Sequence, residues 1–167
     1  MIEIRPLHKT DPVKAFRNFI CELIDENTYL VVDKKPTMKE EREWFREKLK
    51  AIRNNQEIFL TAWDGKKYIG NCNAIRGRWK EADNVCIDMA ILKEYRGRGL
   101  GERLLRETIR LTKRKFKPRN IYLTVAARNK PAYRLYQKVG FREIARFPKW
   151  RKQDGRYIDK LFMILKN

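Results

Sequence analysis

Histidine occurs once and cysteine three times in these 167 residues. Cys21, Cys72 and Cys86 lie far apart with no C-x-x-C pair, and the lone His8 has no partner pattern. A disulfide framework and a thiolate or imidazole metal site are therefore excluded as organising principles, no metal is expected, and free thiols suit a reducing, cytoplasmic compartment. Long apolar runs are missing too. Nothing approaches the roughly 18 residues of a membrane-spanning helix, and the opening MIEIRPLHKT has no apolar core of a secretory leader, so no membrane partner is expected. With 8 glycines and 6 prolines, no repeat, low-complexity tract or linker divides the chain. Residues 1–167 are read as a single domain.

What is present suits a packed interior. Hydrophobic residues make up 43% of the chain, with 4 Trp, 7 Tyr and 8 Phe, so its high charged fraction does not signal disorder. The formal net charge is +19, from 40 Lys and Arg against 21 Asp and Glu. Such a field attracts phosphates, nucleic acid or an anionic cofactor. A densely charged, solvated surface of the kind found in heat-adapted proteins accounts for the charge density but not for the excess of base over acid.

Hydrophobic periodicity gives the element order. Ile2 and Ile4 alternate with polar residues as a strand, and Asp11-Pro12 reads as an N-cap and first helical residue opening a helix over about 11–25. Thr37 and Glu40 have the spacing of a capping box, and Trp44, Phe45, Leu49 and Ile52 follow at helical spacing, predicting a helix over about 37–54. Two β-rich runs, about 57–63 and 67–76, flank Asp64-Gly65 as a hairpin. NVCIDMAIL, about 84–92, suits a buried central strand. A helix over 99–115, the strand NIYLTVA, a helix over about 129–139 and strands near 141–147 and 157–165 complete the chain. The order β-α-α-β-β-β-α-β-α-β-β predicts an α/β fold: one mixed, mostly antiparallel sheet of about seven strands, with about four helices on both faces.

Between the central strand and its helix lies YRGRGLGERLL, residues 95–105, which holds three of the eight glycines. A glycine-bearing loop running into a helix aims unpaired amides at one spot, at the positive end of the helix dipole. Gly97, Gly99 and Gly101 leave close approach open, and Arg96 and Arg98 add charge suited to phosphate. The amides of Gly97, Arg98, Gly99, Leu100, Gly101 and Glu102 are thus candidate anion ligands. The spacing fits neither the Walker A loop nor the dinucleotide fingerprint.

The run Arg96-x-x-Gly99-x-Gly101 resembles the pyrophosphate motif of the GCN5-related N-acetyltransferase (GNAT) family, and AARNKPAYRLYQKVGF resembles that family's second signature through Asn129, Ala132, Leu135, Tyr136, Gly140 and Phe141. The element order is also the family's, so the resemblance covers nearly the whole chain and is strongest from 84 to 141. It implies an acetyl-CoA-dependent N-acetyltransferase acting on a primary amine. The loop and helix would hold the pyrophosphate of acetyl-CoA, and main-chain groups of Met89, Ala90 and Ile91 would pair with the pantetheine arm. Asn129 would cap its helix and contact the cofactor. Tyr136 would give a proton to the leaving thiolate, a role open to a phenol because its pKa of about 10 keeps it protonated at neutral pH.

The base is less plain. Ribosomal-protein acetyltransferases of the family carry a glutamate five residues before the motif asparagine, where this chain has Thr124, which puts that particular acceptor in doubt. Asp88 is the one carboxylate in VCIDMAIL, and an acid in an apolar run is costly unless paired or functional. It is read as the base, direct or through water, with a structural ion pair to an arginine as the competing reading. Deprotonating a lysine-type amine at neutral pH costs about 4.6 kcal/mol, against about 1.4 for an α-amine, so a weak base favours amino-terminal or amino-acid acceptors. The positive field disfavours free polyamines. Asp25, Glu26, Glu40, Glu41 and Glu43 either attract a cationic amine or form a solvated face, and Trp150 and Tyr157 either line the acceptor side or pack.

A reading from another class is a basic nucleic-acid- or ribosome-binding protein on an acetyltransferase-like scaffold, supported by the charge and by LTKRKFKPRN, residues 111–120. Cations are favoured at a helix C-terminus in any case. Homodimers are common in the family, although no apolar helix face marks one here.

Overall fold

The computed structural model describes residues 1–166. In chain order the elements are β1 (Ile2–Pro6), α1 (Val13–Asp25), α2 (Met38–Arg53), β2 (Glu57–Asp64), β3 (Lys67–Arg76), β4 (Asn84–Ile91), α3 (Leu100–Phe116), β5 (Asn120–Ala126), α4 (Lys130–Val139), β6 (Phe141–Gln153) and β7 (Arg156–Leu165). The strands form one seven-stranded sheet in the order β1-β2-β3-β4-β5-β7-β6. Every neighbouring pair is antiparallel except β4 and β5. This is the mixed, mostly antiparallel sheet that the element order predicts.

Each face of the sheet has its own helices because each helix is apolar on one side only. Phe16 of α1 packs 4.2 Å from Tyr68, 5.3 Å from Phe45 of α2 and 5.9 Å from Trp63, between ring centroids, giving one aromatic cluster. The capping box starts α2 as expected: Thr37 Oγ1 accepts from the Glu40 amide at 3.2 Å, and Glu40 Oε2 accepts from the Thr37 amide at 2.7 Å. On the reverse face α3 buries Leu100, Leu104, Leu105 and Ile109. Each such side chain contributes about 1.5–3 kcal/mol of burial.

Three details depart from the sequence reading. α1 starts at Val13, and Asp11 does not cap it. Its carboxylate instead accepts from the His8 amide at 2.8 Å and from Arg5 Nη2 at 2.6 Å, because a bidentate arginine is a better partner than a helix amide. The β2–β3 turn is Gly65-Lys66, with Asp64 still in the strand. β6 runs on to Gln153. A break in register between Phe147 and Arg151, with Lys149 at φ 51°, interrupts the alternation that would have revealed the longer strand. Asp154 and Gly155, at φ 50° and 73°, then reverse the chain as a primed hairpin turn requires.

Candidate functional site at the split between two parallel strands

β4 and β5 pair at only three positions, Asn84 with Asn120, Val85 with Ile121 and Cys86 with Tyr122. Yet β4 continues to Ile91 beside β3, and β5 continues to Ala126 beside β7. The sheet therefore opens beyond Cys86 and Tyr122 into a wedge at the carboxyl ends of its two parallel strands. That is the position at which α/β sheets commonly receive ligands.

The glycine loop closes one side of the wedge mouth. Gly97 and Gly99 sit at φ 74° and 80°, conformations open to glycine and strained for other residues. Arg103 donates back to the Gly99 carbonyl at 3.1 Å, so the amides of Leu100, Gly101 and Glu102 precede the helical ladder. A β-carbon on Gly97 or Gly99 would meet nothing within 4 Å, which leaves the space before these amides open. Gly101 has a different task. A β-carbon there would lie 3.1 Å from Leu135 Cδ2 and 3.3 Å from Ile91 Cδ1, so its absence lets α3 approach α4 and β4.

The two arginines of the loop also divide. Arg96, read from the sequence as a phosphate contact, is partly committed within the chain. Its Nε donates to the Ile91 carbonyl at 2.7 Å and its Nη2 pairs with Glu26 Oε2 at 2.7 Å. Glu26 Oε1 also accepts from the Lys93 amide at 3.1 Å, so this pair ties the loop to the end of α1. Arg98 is exposed and forms no hydrogen bond or ion pair among the described residues, leaving its charge beside the amides. Glu102 spans the helices instead, accepting from Arg106 at 3.0 Å and Lys138 at 2.6 Å. Open amides, a free guanidinium and glycines where bulk would intrude suit the diphosphate of a nucleotide-bearing cofactor.

Across the wedge, Asn129 caps α4, its side-chain oxygen accepting from the Ala132 amide at 3.4 Å. Tyr136 is 7% exposed, with its ring 6.0 Å from that of Phe141 in an edge arrangement. Burial first, then the nearby Cys72 and Asp88, hold its hydroxyl well above the usual phenol range. The hydroxyl has no hydrogen-bond partner among the described residues, and it is not among their sealed, unpartnered side-chain polar atoms, of which Gln56 Oε1 is the one example. The phenol is therefore protonated, with its oxygen touching solvent. Tyr133 and Leu135 serve packing: Tyr133 donates to Glu143 Oε2 at 3.2 Å, and Leu135 faces Gly101.

Asp88 stands on β4 within the split, but the premise of a costly buried acid is corrected, because it is exposed. The competing ion pair with an arginine is not formed among the described residues. Oδ1 accepts from the adjacent Met89 amide at 3.0 Å. Its charge acts on Tyr136, Cys72, Cys86 and Glu57, each of whose protonated forms it favours, so Asp88 and Tyr136 share one electrostatic neighbourhood. Met89 and Ile91 alternate to the other face, toward Gly101, and Ala90 is half-buried.

Sequence reasoning missed a polar row beneath Asp88. Asn73 lies directly opposite it across the ladder and donates to buried Glu57 Oε1 at 3.1 Å, while Lys48 Nζ holds the same carboxylate at 2.9 and 3.0 Å. The signal was the alternating pair Asn71 and Asn73 inside an otherwise apolar strand. Most of the acids read as amine attractors have other partners. Asp25 pairs with Lys35, Glu26 with Arg96, and Glu40 belongs to the capping box, while Glu41 is buried and Glu43 remains exposed.

Comparison with known proteins gives the family. The acetyltransferase (GNAT) family matches residues 18–141, and the chain belongs to that family. The acetyltransferase of GNAT family from Streptococcus pneumoniae superposes with a TM-score of 0.87 at 25% identity, covering 98% of both chains. The fold is also that of yncA from Salmonella typhimurium, solved with its cofactor acetyl-CoA, at a TM-score of 0.84 and 20% identity over 99% of this chain and 93% of that one. An N-alpha-acetyltransferase of Sulfurisphaera tokodaii is 36% identical over 58 residues, 35% of each chain. The L-amino acid N-acetyltransferase AaaT of Escherichia coli is 30% identical over 79 residues, 47% of this chain and 46% of that one. The matched segments thus span about a third and about half of those two relatives. No helix of the described residues is long and apolar enough to cross a membrane.

Proposed function

We propose that the chain transfers the acetyl group of acetyl-CoA to a primary amine, that of a peptide amino terminus or a small amino compound, with both substrates bound together. The observation that carries this reading is the set of helix-start amides beside a wedge in the sheet, with nothing among the described residues within 4 Å of where a β-carbon would stand on Gly97 or Gly99. Acetyl-CoA supplies the activated acyl thioester when bound. The amides of 97–102 and the guanidinium of Arg98 would hold its diphosphate, and the main chain along Met89, Ala90 and Ile91 would take its arm on the side where β5 no longer pairs, although the Ile91 carbonyl already accepts from Arg96.

The remaining chemistry is proton movement, and two residues suit it. Asp88, exposed and held by the Met89 amide, takes the proton of the incoming ammonium, directly or through water. Tyr136 keeps its proton because it is buried, and its solvent-touching hydroxyl is free to donate toward departing sulfur. A carboxylate is a weak base for the task. The about 1.4 kcal/mol needed by an α-amine is within its reach more readily than the about 4.6 needed by a lysine-type amine. The N-alpha- and amino-acid acetyltransferases among the relatives support the same choice.

Two measurements test the reading. Acetyl-CoA at about a hundredfold excess over Kd should stabilise the protein by about 2.7 kcal/mol, and a panel of peptides and amino acids should release thiol from it. A melting temperature that does not move at saturating acetyl-CoA sinks the proposal.

A further inference from the structure

The excess of positive charge is not spent at the cofactor loop, and its strongest ordering lies elsewhere. Lys39, Arg42, Arg46, Lys50 and Arg53 are all exposed along α2. At about 100° per residue they fall within an arc of about 80°, rising in steps of about 4.5 and 6 Å over about 21 Å of helix. Among the described residues none of the five enters a salt bridge. On α3, by contrast, Arg106 and Arg110 are neutralised by Glu102 and Glu107.

The surroundings narrow what this stripe can hold. Glu40, Glu43 and Glu47 occupy the next arc of α2, so a polyanion is confined to a line rather than spread over a face. Beside the stripe lies a groove of about 450 Å³ whose floor is Val13, Phe45 and Leu49 and whose rim carries the cations Lys9, Lys39, Arg42 and Arg46 with one acid, Glu43. Val13 is at the far end of α1 from Glu26, about 20 Å along the helix from the contact with Arg96, so this is not the cofactor site.

A lipid surface would need exposed apolar residues on α2, but Trp44 and Phe45 are turned inward onto Phe59 and Phe16. An acidic peptide carries irregular charge. A nucleic-acid strand carries a regular row of phosphates, one per nucleotide, and the groove beside the stripe has room for an unpaired base. We propose that α2 is a docking track for single-stranded RNA, its five cations following the phosphates and the Val13–Phe45–Leu49 groove taking a splayed base. This goes beyond acetyl transfer and does not depend on it.

The test uses a fluorescein-labelled oligoribonucleotide of about 20 residues, followed by anisotropy across a salt series. Single-strand binding through five phosphates contributes about −3.5 to the slope of log K against log salt. Changing Lys39, Arg42, Arg46, Lys50 and Arg53 to alanine should weaken binding at least tenfold and flatten the slope by about that amount. Changing Lys113, Arg114 and Lys115 to alanine should alter affinity less than threefold. The double variant R42E/R46E serves if the fivefold one is misfolded, and each must retain its stabilisation by acetyl-CoA. The proposal fails if both cation sets weaken binding alike, if a duplex or polyglutamate of equal charge competes as well as the single strand, or if the native chain does not bind at low salt.

Discussion

Arg96 Nη2 lies 2.7 Å from Glu26 Oε2, joining the cofactor loop to the end of the first helix across 70 residues of sequence. The motif arginine of this chain therefore braces the loop that carries the amides. Replacing Arg96 with alanine frees the Ile91 carbonyl as well as Glu26, and charge-assisted bonds of this partly exposed kind contribute about 1 kcal/mol. Arg96→Ala and Glu26→Gln should weaken acetyl-CoA binding to a similar degree, about fivefold, in titration calorimetry. A loss in Arg96→Ala alone would mean that the guanidinium meets the cofactor directly.

The loop glycines should separate by mechanism. Gly99→Ala forces a left-handed conformation on a residue with a β-carbon, at about 1–2 kcal/mol, and disturbs the amides it precedes. Gly101→Ala gains helix propensity of up to about 1 kcal/mol but must push the ends of Leu135 and Ile91 by a few tenths of an ångström. Melting curves should place Gly99→Ala clearly below the native chain and Gly101→Ala close to it.

Removal of the Tyr136 hydroxyl leaves its buried ring against Phe141. Tyr136→Phe should fold normally and bind acetyl-CoA as before, with kcat lower by about 10²–10⁴. Asp88→Asn should lower kcat/KM more for a lysine-type amine than for an α-amine, because the first requires more help in losing its proton. Equal losses for both amines in a steady-state assay would remove Asp88 from that role.

Glu41 supplies a pH dependence. Burial, opposed in part by Arg17, moves its carboxyl from 4.5 up to about 7. Between those values the folded chain holds a proton that the unfolded chain has lost, so this contribution is complete below 4.5 and disappears as pH rises through about 7. Glu41→Gln should match the native chain near pH 4.5 and exceed it by roughly 2 kcal/mol near pH 8. Urea denaturation at the two pH values checks both ends.

Periodicity and turn chemistry carried the element order, since Thr37 with Glu40 and the glycine pattern at 97–101 are local signals that act where they stand. Asp11 was misread for the opposite reason. Its partner, Arg5, lies across a turn, and competition between an arginine and a helix amide is decided only in three dimensions. The same holds for Arg96, whose partner is 70 positions away, and for Glu57, whose burial and bonds to Lys48 and Asn73 depend on β2, β3 and α2 meeting. Asp88 sits in a run that reads as core, but the parting of β4 from β5 turns that stretch of strand into a wall.

Two ribbons diverging from a vertex at Cys86 and Tyr122 form a gauge with no single aperture. A slender guest slides toward the vertex and a thick one lodges near the rim, so depth of insertion reports girth. Under the proposed mechanism only a molecule whose nitrogen halts level with Asp88 meets the reacting groups, so selectivity there depends on where a substrate stops as much as on what it touches.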